Sequence, residues 1–257
     1  MKNLWKEKID RGEKTVGSFF ESGSTAALEM MGFTGLDYVV IDTEHGPFEA
    51  ESVGEFVCAA ERHNLTPIAR VKEITRPAIL KLLDVGCKGL IVPQVHSIED
   101  VKKVVEYGKY YPLGERGVAG ERANCFTYDM GGSLNDWFRI ANDETLLIPQ
   151  CETVGCLNDI DNIVRVDGIA GMFVGPYDLS TAMGIPGQFD NPDFLKAIQK
   201  VVDACHAAGK FCITYCDNAE KARQYFAMNF DSAAIGLDVC VLVDGYRQMV
   251  REALQKD

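Results

Sequence analysis

Short apolar runs alternate with amphipathic segments along the whole chain, and this alternation limits the possible folds more than any other feature. The apolar runs are continuous, as expected of parallel strands that are buried on both faces. Eight of them are interpreted as strands, at residues 15–20, 38–44, 66–71, 89–95, 146–152, 168–174, 211–215 and 232–236.

Each apolar run is followed by a segment with helical periodicity. The first predicted helix begins near residue 24. The other predicted helices cover 49–63, 76–85, 98–107, 157–166, 192–208, 219–228 and 240–255. Eight strand–helix units without a change of composition are typical of a single (β/α)8 barrel, here residues 1–257. An open doubly wound sheet is the alternative, but the GxGxxG fingerprint that would favour it is absent after the first strand.

Charge and composition exclude several classes of partner. The net charge of −12 repels the phosphate backbone of nucleic acids and anionic membranes. No apolar run approaches the roughly 18 residues of a membrane span, and the polar start MKNLWKEKIDRGEK is not a secretory signal. The nine cysteines do not form CxxC pairs with histidine partners, so we expect reduced, buried thiols in a cytoplasmic protein.

Titratable and polar side chains gather where the predicted strands end. In a barrel these ends share one rim, where barrel enzymes carry out their chemistry. The residues are Asp42, Glu44 and His45 after strand two, Arg70 after strand three, Pro93 and Gln94 after strand four, Gln150 and Glu152 after strand five, Asp178 after strand six, and Thr214, Tyr215, Asp217 and Asp238 after the last two strands. Each has a structural alternative, such as a surface acid, a helix cap or an ion pair, but independent strands bring them to the same rim.

Two acids from neighbouring strands, Glu152 and Asp178, suggest a metal site. Carboxylates are hard oxygen ligands that, with water and a chelating 2-oxo acid, suit Mg²⁺ or Mn²⁺. Such an ion would stabilise the enolate that forms when the 2-oxo acid loses a proton from C3. Arg70 could donate a hydrogen bond to the enolate oxygen. His45 is the candidate proton carrier near neutral pH, oriented by Asp42 or Asp84.

Seven motifs follow one another in the order found in the HpcH/HpaI family of class II 2-keto acid aldolases, which this sequence resembles from about residue 15 to 240. They are D-x-E-H-G-P (42–47), A-R-V (69–71), V-P-Q-V (92–95), G-E-R-G (114–117), Q-x-E-T (150–153), F-V-G-P-Y-D-L-S (173–180) and M-G-I-P-G-Q-F (183–189).

The resemblance implies a phosphoenolpyruvate/pyruvate-type barrel that reversibly cleaves 4-hydroxy-2-oxo acids to pyruvate and an aldehyde. It implies a divalent ion, Mg²⁺ or Mn²⁺ with Co²⁺ a further candidate. The residues that match the family's site are Glu152 and Asp178 as metal ligands, Arg70 and His45 with Asp42 and Asp84 as catalytic groups, and Phe19, Gln150, Pro176, Tyr177 and Asp178 as substrate contacts.

The resemblance also implies a hexamer in which the last helix is exchanged between barrels. Asp84 and the loop 116–126 would then complete a neighbour's site. Two positions depart from the family pattern, because Phe19 replaces a tryptophan found in some members and Tyr177 stands where a small residue is frequent. These departures concern the aldehyde partner rather than the pyruvate half.

Other activities are weighed against the same residues. Oxaloacetate decarboxylation needs the same rim, whereas an acyl-CoA lyase would need a basic groove for the nucleotide phosphates. A non-enzymatic binding module would not need an acid, a base and metal ligands together. A glycosidase could use Glu44 and Glu152 as its two carboxylates, but it leaves Arg70 unexplained.

Overall fold

Eight parallel strands close into a barrel in which each strand pairs with its neighbour in sequence and β8 returns to β1. The structure is a computed structural model that describes residues 2–255. The strands are β1 (Thr15–Phe20), β2 (Tyr38–Asp42), β3 (Thr66–Arg70), β4 (Gly89–Val92), β5 (Leu146–Cys151), β6 (Gly171–Val174), β7 (Phe211–Cys216) and β8 (Ser232–Leu237). The predicted (β/α)8 barrel is therefore confirmed.

Twelve α-helices surround the described part of the barrel. They are α1 (Leu4–Asp10), α2 (Thr25–Met31), α3 (Ala50–Glu61), α4 (Arg76–Asp84), α5 (Ile98–Gly108), α6 (Leu134–Glu144), α7 (Val154–Asn158), α8 (Ile160–Ile163), α9 (Pro176–Ala182), α10 (Pro192–Ala207), α11 (Ala219–Ala227) and α12 (Asp238–Leu254). A 3₁₀ segment at Arg122–Thr127 lies in the long connection between α5 and α6. Within residues 2–255, the search for a helix of membrane-spanning length and hydropathy found none.

Strands β2 to β5 end one to three residues before their predicted ends. Glu44 and Glu152 consequently lie beyond the ladder, where their carboxylates can leave the plane of the sheet. The helix predicted at 157–166 was wrong, because α7 and α8 break at Asp159, whose backbone is not helical. Helix α6 and the 3₁₀ segment were not predicted within the long connection.

Helix α1 closes the amino-terminal end of the barrel, although its charged sequence gave no reason to expect a core element. Trp5 is fully buried and stacks on Tyr38 with ring centroids 4.0 Å apart. Its indole N–H donates to the Thr15 hydroxyl at 2.9 Å, which satisfies the one polar atom of the buried ring. Trp5 therefore fills the barrel interior at the amino-terminal ends of the strands, and the site residues lie at the carboxyl ends.

All nine cysteines are free thiols. Cys87, Cys151, Cys156, Cys205, Cys212 and Cys216 are buried, as predicted. The prediction was wrong for Cys58, Cys125 and Cys240, which are exposed in this chain.

Helix α12 carries no buried residue in this single chain. Its exposed apolar side chains are Val241, Leu242, Val243, Tyr246, Met249, Val250 and Leu254. A face of this size is unusual on a solvated helix, since contiguous exposed apolar surface generally marks an interaction site.

Replacement of Trp5 by alanine is expected to destabilise the fold by about 3–5 kcal/mol, because the indole fills the closed end of the barrel and no neighbouring side chain can replace it. Urea unfolding followed by circular dichroism measures the change. Trp5→Phe is the matched control, since it keeps a stacking ring and should cost less. Equal stability of Trp5→Ala and the parent would show that the Trp5 indole does not stabilise this end of the barrel.

Candidate active site

The carboxyl ends of β2 and β3 carry an ion pair that organises one side of the rim. The sheet register places Asp42 directly opposite Arg70. Arg70 donates from Nε to Asp42 Oδ1 at 2.9 Å and from Nη2 to Oδ2 at 2.6 Å. Asp42 is fully buried; the guanidinium compensates its charge, and the bidentate geometry fixes the plane of that guanidinium.

Asp42 also shapes the loop that follows it. Its Oδ1 accepts the main-chain N–H of Glu44 at 3.0 Å and that of His45 at 3.4 Å. The next residue is Gly46, where a Cβ would collide with the main-chain oxygen of Asp42. The sequence analysis left open whether Asp42 orients the imidazole of His45; the contact in the structure is with the backbone of His45.

An aromatic surface supports Arg70 on the opposite side from the ion pair. The Arg70 guanidinium carbon lies 5.0 Å from the centroid of Phe19. Phe19 is buried and packs edge-on against Phe173 and Tyr215. Phe19 therefore lies at the predicted site, where it limits the movement of the arginine side chain.

Glu152 is held by three N–H donors. The main-chain N–H of Gln94 donates to Oε1 at 2.6 Å, and the Gln94 side-chain amide donates to the same oxygen at 3.1 Å. Gln150 donates through Nε2 to Oε2. Gly175 makes this arrangement possible, because a Cβ there would lie only 2.6 Å from Gln150 Nε2 and 3.0 Å from Glu152 Oε2.

Gln94 is a residue of the site to which the sequence analysis gave no role. Its backbone φ of 54° lies in the left-handed region, which residues other than glycine and asparagine seldom adopt. This conformation turns both its main-chain N–H and its side chain toward Glu152. The available signal was its place after a strand in the V-P-Q-V motif, since local strain concentrates at functional sites.

The carboxylates of the rim are only partly balanced by positively charged side chains nearby. Burial raises the pKa of Glu152 to about 7, and the charges of Asp178 and Glu44 add to the shift, while the N–H of Gln94 opposes it. Burial also raises the pKa of Glu44, whose Oε2 has no hydrogen-bond partner although Arg70 Nε lies 3.3 Å away. Such a group of carboxylates is stabilised by an added cation.

A cavity of about 440 Å³ opens at this rim. It is lined by Phe19, Glu21, His45, Arg70, Gln150, Phe173, Gly175, Pro176, Tyr177, Asp178, Tyr215, Asp217, Leu237 and Cys240. Of the predicted site residues, Asp42 and Glu152 are buried beside it. His45 and Asp178 are exposed at its mouth.

Asp84 is the one predicted site residue that lies elsewhere in the subunit. It is the last residue of α4, and helices of this barrel run back toward the amino-terminal ends of the strands. Its carboxylate accepts from Arg116 Nη2 at 2.8 Å. The predicted barrel already implies this position, because each helix runs antiparallel to the strands and its last residue lies at the end of the barrel opposite to the rim.

The residues present are compatible with a divalent cation bound partly by ligand and water. Among residues 2–255, no group of three or more histidine, cysteine, aspartate or glutamate side chains is arranged to hold a metal ion. Magnesium, however, commonly uses only one or two protein carboxylates and completes its octahedron with water and substrate oxygens. Glu152 and Asp178, with the unpaired side-chain oxygen of Gln150 nearby, supply hard donors of that kind.

Substitution of Glu152 by glutamine should remove the cost of burying a carboxylate. Because the folded pKa is raised to about 7 from 4.5, the folded protein binds this proton more tightly, and stability conferred by the neutral form is lost as pH rises through 7. In chelator-treated protein, the thermal stability of Glu152→Gln relative to the parent should therefore be greater at pH 8 than at pH 5.5. An identical difference at both pH values would contradict the raised pKa.

Comparisons with known proteins agree with this geometry. Residues 15–245 match the family described as HpcH/HpaI aldolase/citrate lyase. The chain is 32% identical over 247 residues to a hydroxypyruvate/pyruvate aldolase from Agrobacterium fabrum, covering 96% of this chain and 92% of the relative. It is 29% identical over 248 residues to a 2-keto-3-deoxy-L-rhamnonate aldolase from Escherichia coli, with the same coverage of both chains.

A solved structure shows the same fold over nearly the full length. The crystal structure of an HpcH/HpaI aldolase/citrate lyase family protein from Burkholderia cenocepacia superposes with a TM-score of 0.90 at 28% identity, covering 98% of this chain and 99% of that one. The sequence match and the structural match thus point to the same group of proteins over nearly the whole chain. The chain belongs to the HpcH/HpaI aldolase/citrate lyase family.

Proposed function

We propose that this protein is a divalent-metal-dependent aldolase that reversibly cleaves 4-hydroxy-2-oxo acids to pyruvate and an aldehyde. The observation that carries the proposal is the pairing of two prepared groups at one cavity. One is the Glu152 carboxylate, held by three N–H donors. The other is the Arg70 guanidinium, fixed by Asp42.

The reaction class follows from family membership and from the relatives, which are named as aldolases. Aldolases of this kind are carbon–carbon lyases that act on small molecules. The substrate assignment for this chain rests on its own residues together with that kinship.

Glu152 and Asp178 are the residues that would hold the metal. When bound, a divalent cation such as Mg²⁺, Mn²⁺ or Co²⁺ withdraws electron density from the keto group and makes the neighbouring C–H more acidic. The donors on Glu152 orient its carboxylate before any ligand arrives, which reduces the reorganisation needed on binding. Gln150 and the backbone around Pro176 and Tyr177 border the space for the pyruvate half, while the Tyr177 side chain points away from it toward Phe189 and Asp217.

Arg70 stabilises the negative charge that develops on the keto oxygen during cleavage. Its bonds to Asp42 use Nε and Nη2, which leaves the Nη1 group for the ligand. The cavity reaches Arg70, and Phe19 packs on the guanidinium face. A donor that is already oriented stabilises developing charge more effectively than one that must move.

His45 carries the proton. In cleavage, a base takes the proton of the C4 hydroxyl, the C3–C4 bond breaks, the aldehyde leaves, and the electron pair forms the pyruvate enolate, which is then protonated at C3. His45 stands exposed at the cavity mouth, with its backbone tied to Asp42. Imidazole suits this task because its ordinary pKa is near neutral pH.

We further propose a single cytoplasmic barrel domain, residues 1–257, that assembles into a hexamer with exchanged last helices. The apolar face of α12 is consistent with such an exchange. Asp84, remote from the rim of its own subunit, would complete the site of a neighbour together with the loop 116–126.

Oxaloacetate decarboxylation is the second candidate, since it would use the same enolate-forming groups. An acyl-CoA lyase is less well supported, because nucleotide phosphates require cationic partners. Among the described residues lining the cavity, only Arg70 and His45 can carry positive charge, and Arg70 is engaged by Asp42.

Substitutions at the two prepared groups should abolish turnover in different ways. Glu152→Ala and Asp178→Ala remove a metal ligand, so pyruvate release from 4-hydroxy-2-oxo acids should be lost at any added metal concentration. Arg70→Ala should keep metal binding but lose about 3 kcal/mol or more of transition-state stabilisation. A coupled pyruvate assay after chelation and metal replacement gives kcat/KM, and full activity in any of the three variants would remove that residue from the site.

His45→Ala should slow exchange of the pyruvate C3 protons with solvent, because the group that moves them is absent. The exchange is followed by proton NMR in deuterated water with metal added. His96→Ala is the control, since His96 is exposed beyond β4 and does not line the cavity. An unchanged exchange rate in His45→Ala would assign the proton transfer to another residue.

A further inference from the structure

We infer that the aldehyde taken by this enzyme is uncharged rather than one bearing a carboxylate or a phosphate. The inference deepens the proposed function and rests on it. It comes from the wall of the cavity that lies across the barrel from Glu152, formed by β1, β7, β8 and the first turns of α9 and α12.

Aromatic and apolar side chains make up most of this wall. Phe19 and Tyr215 lie edge to face with centroids 5.8 Å apart, and Leu237 lies at the end of β8. Tyr177 packs edge-on against Phe189 at 4.8 Å and lies 6.0 Å from Tyr215. A surface of this kind favours carbon chains and hydroxyl groups over ions, which lose their hydration on entering it.

The side chains on this wall that carry a charge at neutral pH are carboxylates. Asp217 accepts a hydrogen bond from the Tyr177 hydroxyl at 2.9 Å, and this bond links α9 to the end of β7. Burial raises the pKa of the Glu21 carboxylate, and the charges of Asp42 and Asp238 add to the shift, while those of Arg70 and His45 oppose it. No lysine lines the cavity among the described residues, and its one arginine, Arg70, is bound by Asp42.

Within this subunit, an anionic aldehyde would therefore meet carboxylates on this wall and no lysine or arginine that is free to pair with it. The proposed cation at Glu152 and Asp178 is already balanced by those two acids and the pyruvate carboxylate. At the effective dielectric constant of a partly buried site, repulsion between like charges several ångströms apart corresponds to about a tenfold loss of affinity or more. Tyr177 adds a steric restriction, since its ring lines the cavity.

The test compares matched aldehydes in the condensation direction with pyruvate and Mn²⁺. Butanal and succinic semialdehyde share a four-carbon chain, and acetaldehyde and glyoxylate share a two-carbon chain, so each pair differs by a terminal carboxylate. We expect kcat/KM for the neutral member to exceed that for the anion by about tenfold or more in both pairs. Equal or better use of the anions would overturn the inference.

Two charge-removing variants connect the preference to the wall. Asp217→Asn and Glu21→Gln should each reduce the neutral-to-anionic ratio by several-fold, since they keep the shape and remove one negative charge. Glu220→Gln is the control, because Glu220 is exposed in the first turn of α11 and does not line the cavity. A ratio that stays at the parent value in both wall variants would contradict the electrostatic origin.

Exchange of the pyruvate C3 protons separates the two possible failures. If the C3 protons exchange but the matched aldehydes react equally well, the enolate chemistry stands and only the inference is overturned. Absence of both exchange and condensation, in protein that is folded by circular dichroism, overturns the proposed function and the inference together.

Discussion

The bidentate ion pair between Asp42 and Arg70 is the interaction on which the rest of the rim depends. A fully buried carboxylate is costly without a partner, and here the parallel register of β2 and β3 supplies one directly opposite. The same carboxylate accepts the N–H groups of Glu44 and His45. Strand pairing, the direction of the guanidinium and the path of the histidine loop are thus coupled through one side chain.

A second centre, Glu152, is built differently. Its carboxylate is held by neutral donors and faces other acids, so its charge is kept in place without being cancelled. Arg70 compensates one acid, whereas the opposing carboxylates leave a deficit of positive charge that a divalent ion would remove. At Asp42 the balancing cation is the guanidinium of Arg70, whereas at Glu152 it would be a metal ion bound from solution.

Much of the architecture could be predicted from the sequence because it depends on local pattern. Continuous apolar runs, regularly followed by amphipathic segments, specify buried parallel strands, and polar residues at strand ends specify a shared rim. Helix α1 escaped prediction because a single residue, Trp5, carries its core contact among charged neighbours. The break between α7 and α8 depends on the backbone of Asp159, which periodicity does not reveal.

Within the site, residue identity predicted chemical type but not contact. Asp42 was expected near His45, yet its side chain binds the backbone of His45 and the guanidinium of Arg70. Gln94 escaped notice because its role comes from a left-handed backbone that brings two donors to one oxygen. The location of Asp84 depends on the direction of α4 in three dimensions, and any partnership with His45 would depend on a second subunit.

Gly175 has a consequence for redesign of this enzyme. Any larger residue there would push against the amide of Gln150 and the carboxylate of Glu152, so β6 offers directed evolution almost no tolerance at its end. Tyr177, Tyr215, Asp217 and Glu21 form the facing wall of the same cavity. Libraries that seek new carbon–carbon bonds should leave the glycine untouched and vary the far side of the cavity.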